Sequence, residues 1–187
     1  MVAAKRKNME IPDEIKAAMF QTWLPALTSS LIAGVKELPA KHRNALLTRM
    51  CTTCEDMAMA GAVGIQPGMT WEAYVKYVRD APPPIGPWDI KQNGDTYDLV
   101  YTASLGPDGK PRCHCPLLQL GIMDDPMPFC CDSGARLAGK MIAAATGKKV
   151  RKVELVDSPS RTSAAVCHYR VCAGADSHSP GCSGCSR

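Results

Sequence analysis

Apolar residues recur at helical spacing across residues 12–34. Ile15, Met19, Trp23, Leu27 and Leu31 follow one another every four positions behind a Pro12-Asp13-Glu14 start. Pro25 lies inside this run and is expected to kink or split it. A second helix is expected from Pro39 to Val63. Leu46, Leu47, Met50, Cys54, Met57 and Met59 supply its apolar faces, and Gly64 with Pro67-Gly68 ends it. Thr70 is positioned to cap a third helix that ends near Arg79.

Beyond Trp88 the period changes from helical to alternating. Strands are expected at Trp88–Gln92 and Thr96–Ser104, turned by Asn93-Gly94-Asp95, with a further turn at Gly106–Gly109. An alanine-rich helix is expected from Ser133 to Thr146, stopped by Gly147. Strands at Lys149–Asp157 and Ser163–Val171, joined by a Ser/Pro/Arg turn, complete the order. That order predicts an α+β fold: N-terminal helices followed by ββαββ, with an antiparallel sheet packed on helices. The proline-rich segment 81–87 separates an N-terminal helical region, residues 1–80, from a cysteine-rich α+β domain, residues 88–172. The Cys/Gly/Ser tail, residues 173–187, has too little apolar content to pack and is expected to be disordered.

Composition changes this picture in two places. Aromatics make up only 5% of the 187 residues, so the core must lean on aliphatic side chains and ten methionines. The net charge of +4 is mild, and its basic clusters, Lys5–Lys7 and Lys148–Lys152, read as solvated surface rather than a nucleic-acid site. No apolar run reaches the ~20 residues of a membrane span. The N-terminal residues lack the apolar stretch of a signal peptide. The expected location is therefore the cytoplasm. In that reducing compartment ten cysteines argue for metal binding or thiol chemistry rather than a disulfide framework.

The density is highest in CHCPLLQLGIMDDPMPFCCDSG, residues 113–134. Thiolates bind soft or borderline metals, and ligand sets are assembled from short motifs in different parts of a fold. Cys115, one or both of the adjacent Cys130 and Cys131, and Cys167 on the last strand are candidates for one site, with Cys113 as a further ligand. Asp132-Ser133 can cap the following helix, and a thiol at a helix N-terminus favours the thiolate. Val166 and His168 share one strand face, so Cys167 looks to the other. The alternative is that these thiols are small buried hydrophobes. The spacing is neither that of a zinc ribbon nor that of a ferredoxin run. His114, between two cysteines, is expected to point away from them. Cys51 and Cys54 form a CxxC on one helix face, and Cys182 and Cys185 form another in the tail beside His178. Glu154 interrupts an apolar strand and is either solvent-facing or a ligand.

Three segments carry a resemblance: CCDSGARLAGKMIAAATGK, then KVRKVELVDS, then AVCHYRV. From about Trp88 to Val171 the chain resembles the vinyl-4-reductase-type domain superfamily, which includes methanogen output domains and shares its fold with vesicle-tethering TRAPP subunits. The resemblance implies a zinc site beside an apolar ligand pocket, with Cys130 or Cys131, Glu154 and Cys167 inheriting the metal role. The chain departs from that pattern. Asp157 or Ser158 stands where a cysteine is expected after the glutamate, and the Gly-Asp before the last cysteine is missing. Cys113 or Cys115 is available to replace the lost ligand. The chain is also similar to thiazoline-carboxylate hydrolases, through Cys115-Pro116, the following cysteine motif and the cysteine on the last strand.

The leading expectation is a cytoplasmic metal-binding domain, zinc or iron–sulfur, that holds a small, largely apolar molecule as a sensor or accessory protein. The N-terminal helices would form a homodimer or cover the pocket, with Met50, Met57 and Met59 as lining or plain core. One alternative is a cysteine- or metal-dependent hydrolase of a small C–N or C–S compound, with Cys131 or Cys115 as nucleophile and His114 and Asp132 as the nearest bases. The other is a thiol redox module built on the two CxxC pairs.

Overall fold

The computed structural model describes residues 11–61, 63–82, 86–105, 109–113 and 128–174. A long N-terminal helix opens the chain. It consists of α1 (Asp13–Ala18), a π-helical turn (Met19–Trp23) and α2 (Leu24–Glu37). Pro25 has no N–H to donate, and the helix stays continuous because the wider π turn falls just ahead of it. Helix α3 (Ala40–Ala60) starts behind Pro39, and α4 (Trp71–Asp80) starts behind Thr70, whose side chain accepts a hydrogen bond from the Ala73 N–H.

The remaining elements are β1 (Trp88–Asn93), β2 (Thr96–Thr102), the short pair β3 (Ser104–Leu105) and β4 (Pro111–Arg112), α5 (Pro128–Thr146), β5 (Val150–Asp157), α6 (Pro159–Thr162) and β6 (Val166–Ala173). The main sheet has the order β1-β2-β6-β5 with every neighbour antiparallel. The fold is therefore α+β, helices first and then an antiparallel sheet packed on helices. Gly94, at φ +59°, makes the two-residue turn between β1 and β2 without the steric penalty a side chain would meet.

One face of the sheet is the core face. Ile90, Leu99, Tyr169 and Leu155 line up across its four strands, and Trp88, Tyr101 and Cys167 form the next row. Helix α5 covers this face with Ala138, Met141 and Ile142, all fully buried. Tyr74 and Val78 of α4 enter the same core, and Tyr74 donates from its hydroxyl to the Val63 carbonyl at 2.8 Å. Helix α3 is joined to α5 by a buried carboxylate. Glu55, only 2% exposed, accepts from Ser133 (3.1 Å) and Arg136 (2.9 Å) and pairs with Lys140 (3.1 Å). The opposite sheet face is polar. There Asp98 accepts from Arg170 at 3.0 Å and meets His168 Nε2 at 2.8 Å. Among the described residues no helix is long and apolar enough to cross a membrane.

Helix α5 begins five residues ahead of the expected Ser133, at Pro128. Pro128 suits a first helical position, and Cys131 thus lies inside the first turn rather than outside it.

Candidate functional site

Three cysteines from three elements meet at one end of the core face. Cys113 follows β4 directly, Cys131 lies in the first turn of α5, and Cys167 is the second residue of β6; all three are buried. Alternation along β6 aims Cys167 and Tyr169 at α5, and the first turn of α5 carries Cys131.

The cluster is polarised by a chain of hydrogen bonds. Cys113 is in hydrogen-bond contact with both Cys131 and Cys167, and the Tyr169 hydroxyl contacts Cys167 as well. The Cys131 sulfur also lies 3.2 Å from Ser160 Oγ and 3.9 Å from Ser158 Oγ, two hydroxyls of the one-turn helix α6 and its cap. Ser158 is fully buried and accepts from the Arg161 N–H.

Direction decides which thiol ionises. The bond that Cys131 gives to Cys113, reinforced by burial, pushes the Cys131 thiol above its ordinary range. That same bond favours the Cys113 thiolate, but the bond Cys113 gives to Cys167, together with burial, leaves Cys113 raised. Cys167 receives from Cys113 and from Tyr169, which overcomes its burial and lowers its pKa. Burial first, and the neighbouring thiols second, push the Tyr169 phenol up. The sequence-based expectation that the helix N-terminus favours the Cys131 thiolate is therefore reversed. The thiol of this cluster whose pKa is lowered is the one on the strand.

Aromatic rings border the thiols. Tyr101 is directly opposite Cys167 across the strand pair, and Trp88 stacks on Tyr101 with ring centroids 4.6 Å apart. Gly134, nearly two turns into α5, leaves room for Tyr169 to reach Cys167.

The other expected site residues are placed differently. Glu154 is exposed and stands opposite Arg170 on the polar sheet face, away from the thiols. It is not a partner of Cys167, because neighbouring register positions on β5 and β6 look to opposite faces. Asp132 is exposed and lies 3.7 Å from Arg161. His168 binds Asp98 on the far face. Cys115, His114, Cys182, Cys185 and His178 lie outside the described residues, and Cys130 is described only as a backbone position in α5.

Cys51 is buried on α3 in a hydrogen-bond contact with Ser133, and Cys54 is exposed. Their i, i+3 spacing puts the Cβ atoms ~5–6 Å apart on a regular helix, beyond the ~3.5–4.5 Å that a disulfide spans. Oxidising this pair would require α3 to unwind. Met50 and Met59 pack on the core as partly buried residues, whereas Met57 is exposed.

Sequence reasoning missed Tyr169, Ser158 and Ser160 as partners of the thiols. Tyr169 had a signal, since position i+2 on a strand shares the face of Cys167. Ser158 had only an indirect signal, since the resemblance expects a cysteine at position 157 or 158, and Ser160 had none, because a Ser/Pro/Arg turn reads only as a connection.

Among the described residues no group of three or more His, Cys, Asp or Glu side chains is spaced to hold a metal ion as it stands. The donor chemistry nonetheless suits a thiophilic metal, with three thiols from three elements and no carboxylate or imidazole interleaved. Comparison with family models, with curated proteins and with solved structures returns no match for this chain.

Proposed function

We propose that Cys113, Cys131 and Cys167 supply the thiolates of a soft-metal centre, zinc or an iron–sulfur cluster, in a domain that binds a small, largely apolar molecule beside it. The convergence of three buried thiols on one hydrogen-bonded cluster carries this reading. Burial and their mutual contacts favour the protonated forms of Cys113 and Cys131. A bound metal takes over the role of those protons, at the cost of releasing them. The fourth donor would come from Cys115, Cys130 or His114, each next to one of the three in sequence or one residue further. Ser158 also supports the reading, because it stands at one of the two positions where the family resemblance expects a cysteine and its hydroxyl approaches Cys131. Bound metal would act as a Lewis acid or as a staple between β4, α5 and β6. The chain's own part is to anchor the thiolates on rigid elements and to screen them with the Trp88 and Tyr101 rings, which suit an apolar ligand.

A second reading rests on the surroundings of Cys167, a buried strand thiol that Cys113 and Tyr169 both contact, which lowers its pKa. A thiolate with two donors aimed at it is an activated nucleophile, as a cysteine-dependent hydrolase of a small C–N or C–S compound would need.

Elemental analysis of protein purified without oxygen, paired with thiol titration before and after chelation, separates the two. About one metal per chain, lost in Cys131→Ser, together with thiols that react only after chelation, supports the metal centre. Metal-free protein in which Cys167 alone alkylates rapidly near neutral pH supports the nucleophile and removes the metal centre.

A further inference from the structure

The N-terminal helix carries an apolar surface that the fold does not use. No residue of Asp13–Trp23 is buried, and α2 buries only Ile32 and Val35. Eight large apolar residues between Ile11 and Leu31 are 37–69% exposed, among them Ile15, Met19, Phe20, Trp23, Leu27 and Leu31. A helix that makes so little tertiary contact is marginal in water on its own, because helical stability in proteins comes mainly from packing an apolar face.

The π turn narrows the spread of the stripe around the helix. A spacing of four oversteps the 3.6-residue turn and drifts around a straight helix. The π turn at Met19–Trp23 absorbs about one residue of that drift.

We propose that this helix pairs antiparallel with the same helix of a second copy of the chain, about a two-fold axis at Gln21. Three observations select that partner. The stripe is palindromic: antiparallel pairing about Gln21 sets Ile11 against Leu31, Ile15 against Leu27 and Met19 against Trp23. An isologous interface requires such self-complementarity. The area also fits. At roughly 200 Å² of surface per large residue, eight residues about half exposed offer about 800 Å², the contribution of each partner to an interface of standard size. The charges are compatible as well. No charged residue lies between Lys16 and Lys36, and in this register Asp13 and Glu14 face Ser29 and Thr28, while Lys16 faces Ala26. Between Ile11 and Leu31 like charges therefore do not meet. A lipid surface is less suited, because helices that lie on membranes carry Lys and Arg along their polar face and this polar face offers Gln, Thr and Ser.

Light scattering on the full chain tests the proposal. Wild-type protein is expected at about twice the 20.1 kDa chain mass. Phe20→Glu and Leu27→Glu, at exposed positions, are expected at the monomer mass with unchanged far-UV circular dichroism. A photo-crosslinking residue at Met19, on the stripe, is expected to give covalent dimers, and the same residue at the exposed Thr52 of α3 is not. Wild-type protein that stays monomeric at high concentration overturns the proposal. So does a dimer that survives both glutamate variants, or a monomer that sediments with neutral vesicles and loses that property in the variants. These outcomes are independent of whether the thiols bind metal.

Discussion

The Tyr169 hydroxyl occupies the space that a side chain at position 134 would need: a Cβ on Gly134 would lie 2.1 Å from it. The same hydroxyl donates to Cys167. A glycine on α5 thus sets how close the last strand's tyrosine comes to the thiol cluster. Gly134→Ala is expected to destabilise the protein. Helix propensity alone would favour alanine by about 1 kcal/mol, but overpacking a buried, rigid ring costs ~1–3 kcal/mol. Gly34→Ala is the control, since its Cβ would meet nothing within 4 Å, and it is expected to raise the melting temperature. Thermal denaturation of the two variants checks the opposite signs.

Tyr169→Phe removes one of the two donors to Cys167. The Cys167 pKa is expected to rise, so its alkylation rate near neutral pH falls relative to wild type in metal-free protein. The fold is expected to remain, because the phenyl ring keeps its place in the sheet's core row. Alkylation followed by mass spectrometry reads this directly. An unchanged rate profile against pH would remove Tyr169 from the polarised chain.

Ser158→Cys adds a thiol to the three. The hydroxyl it replaces lies 3.9 Å from the Cys131 sulfur, so the new side chain points into the cluster. Metal is expected to dissociate more slowly into a competing chelator. The variant also loses the cap on α6, which costs about 1 kcal/mol in the metal-free state. Slower metal loss together with a lower apo melting temperature is the expected pair of results.

The pH dependence has a definite sign. The folded pKa values of Cys113, Cys131 and Cys51 are raised above 9.0. Their contribution is complete below pH 9 and is lost as the pH rises, because the unfolded thiols ionise first. The lowered Cys167 contributes above its unfolded value and loses that contribution as pH falls through its folded value. Metal-free protein is thus expected to lose stability as pH rises beyond about 9. Metal-loaded protein is expected to gain stability as pH rises from mildly acidic to neutral, because binding releases protons. Denaturant titrations of both forms across that range check the two slopes.

Glu55→Gln weakens the clamp between α3 and α5. A buried carboxylate with charge-assisted bonds to Arg136 and Lys140 is replaced by a neutral amide, at a cost of about 2 kcal/mol. Asp56→Asn is expected to change little, because Asp56 is 65% exposed where it meets Lys140. Chemical denaturation of the two variants tests the difference.

Much of the fold was legible because it rests on local rules. Pro39, Thr70, Gly94 and Gly147 stand at the start, turn or end of the elements their chemistry predicts. Alternation in VCHYRV correctly aimed Cys167 at the core. What was not legible required tertiary contact. The early start of α5 hid in a proline and an aromatic that read as loop. The burial of Glu55 depends on α5 packing over α3. Glu154 carried a misleading signal, since a carboxylate in an apolar strand suits a ligand as well as a solvent face. Helix register could not show that the Cys131 thiol is raised, because that follows from its bond to Cys113, which lies far from it along the chain.

X-ray absorption at the metal edge of protein loaded with one equivalent of zinc tests the central claim most directly. The account predicts at least three sulfur neighbours at about 2.3 Å, falling by one in each of Cys113→Ser, Cys131→Ser and Cys167→Ser. A spectrum fitted by oxygen and nitrogen neighbours alone, or one unchanged by all three substitutions, would contradict it.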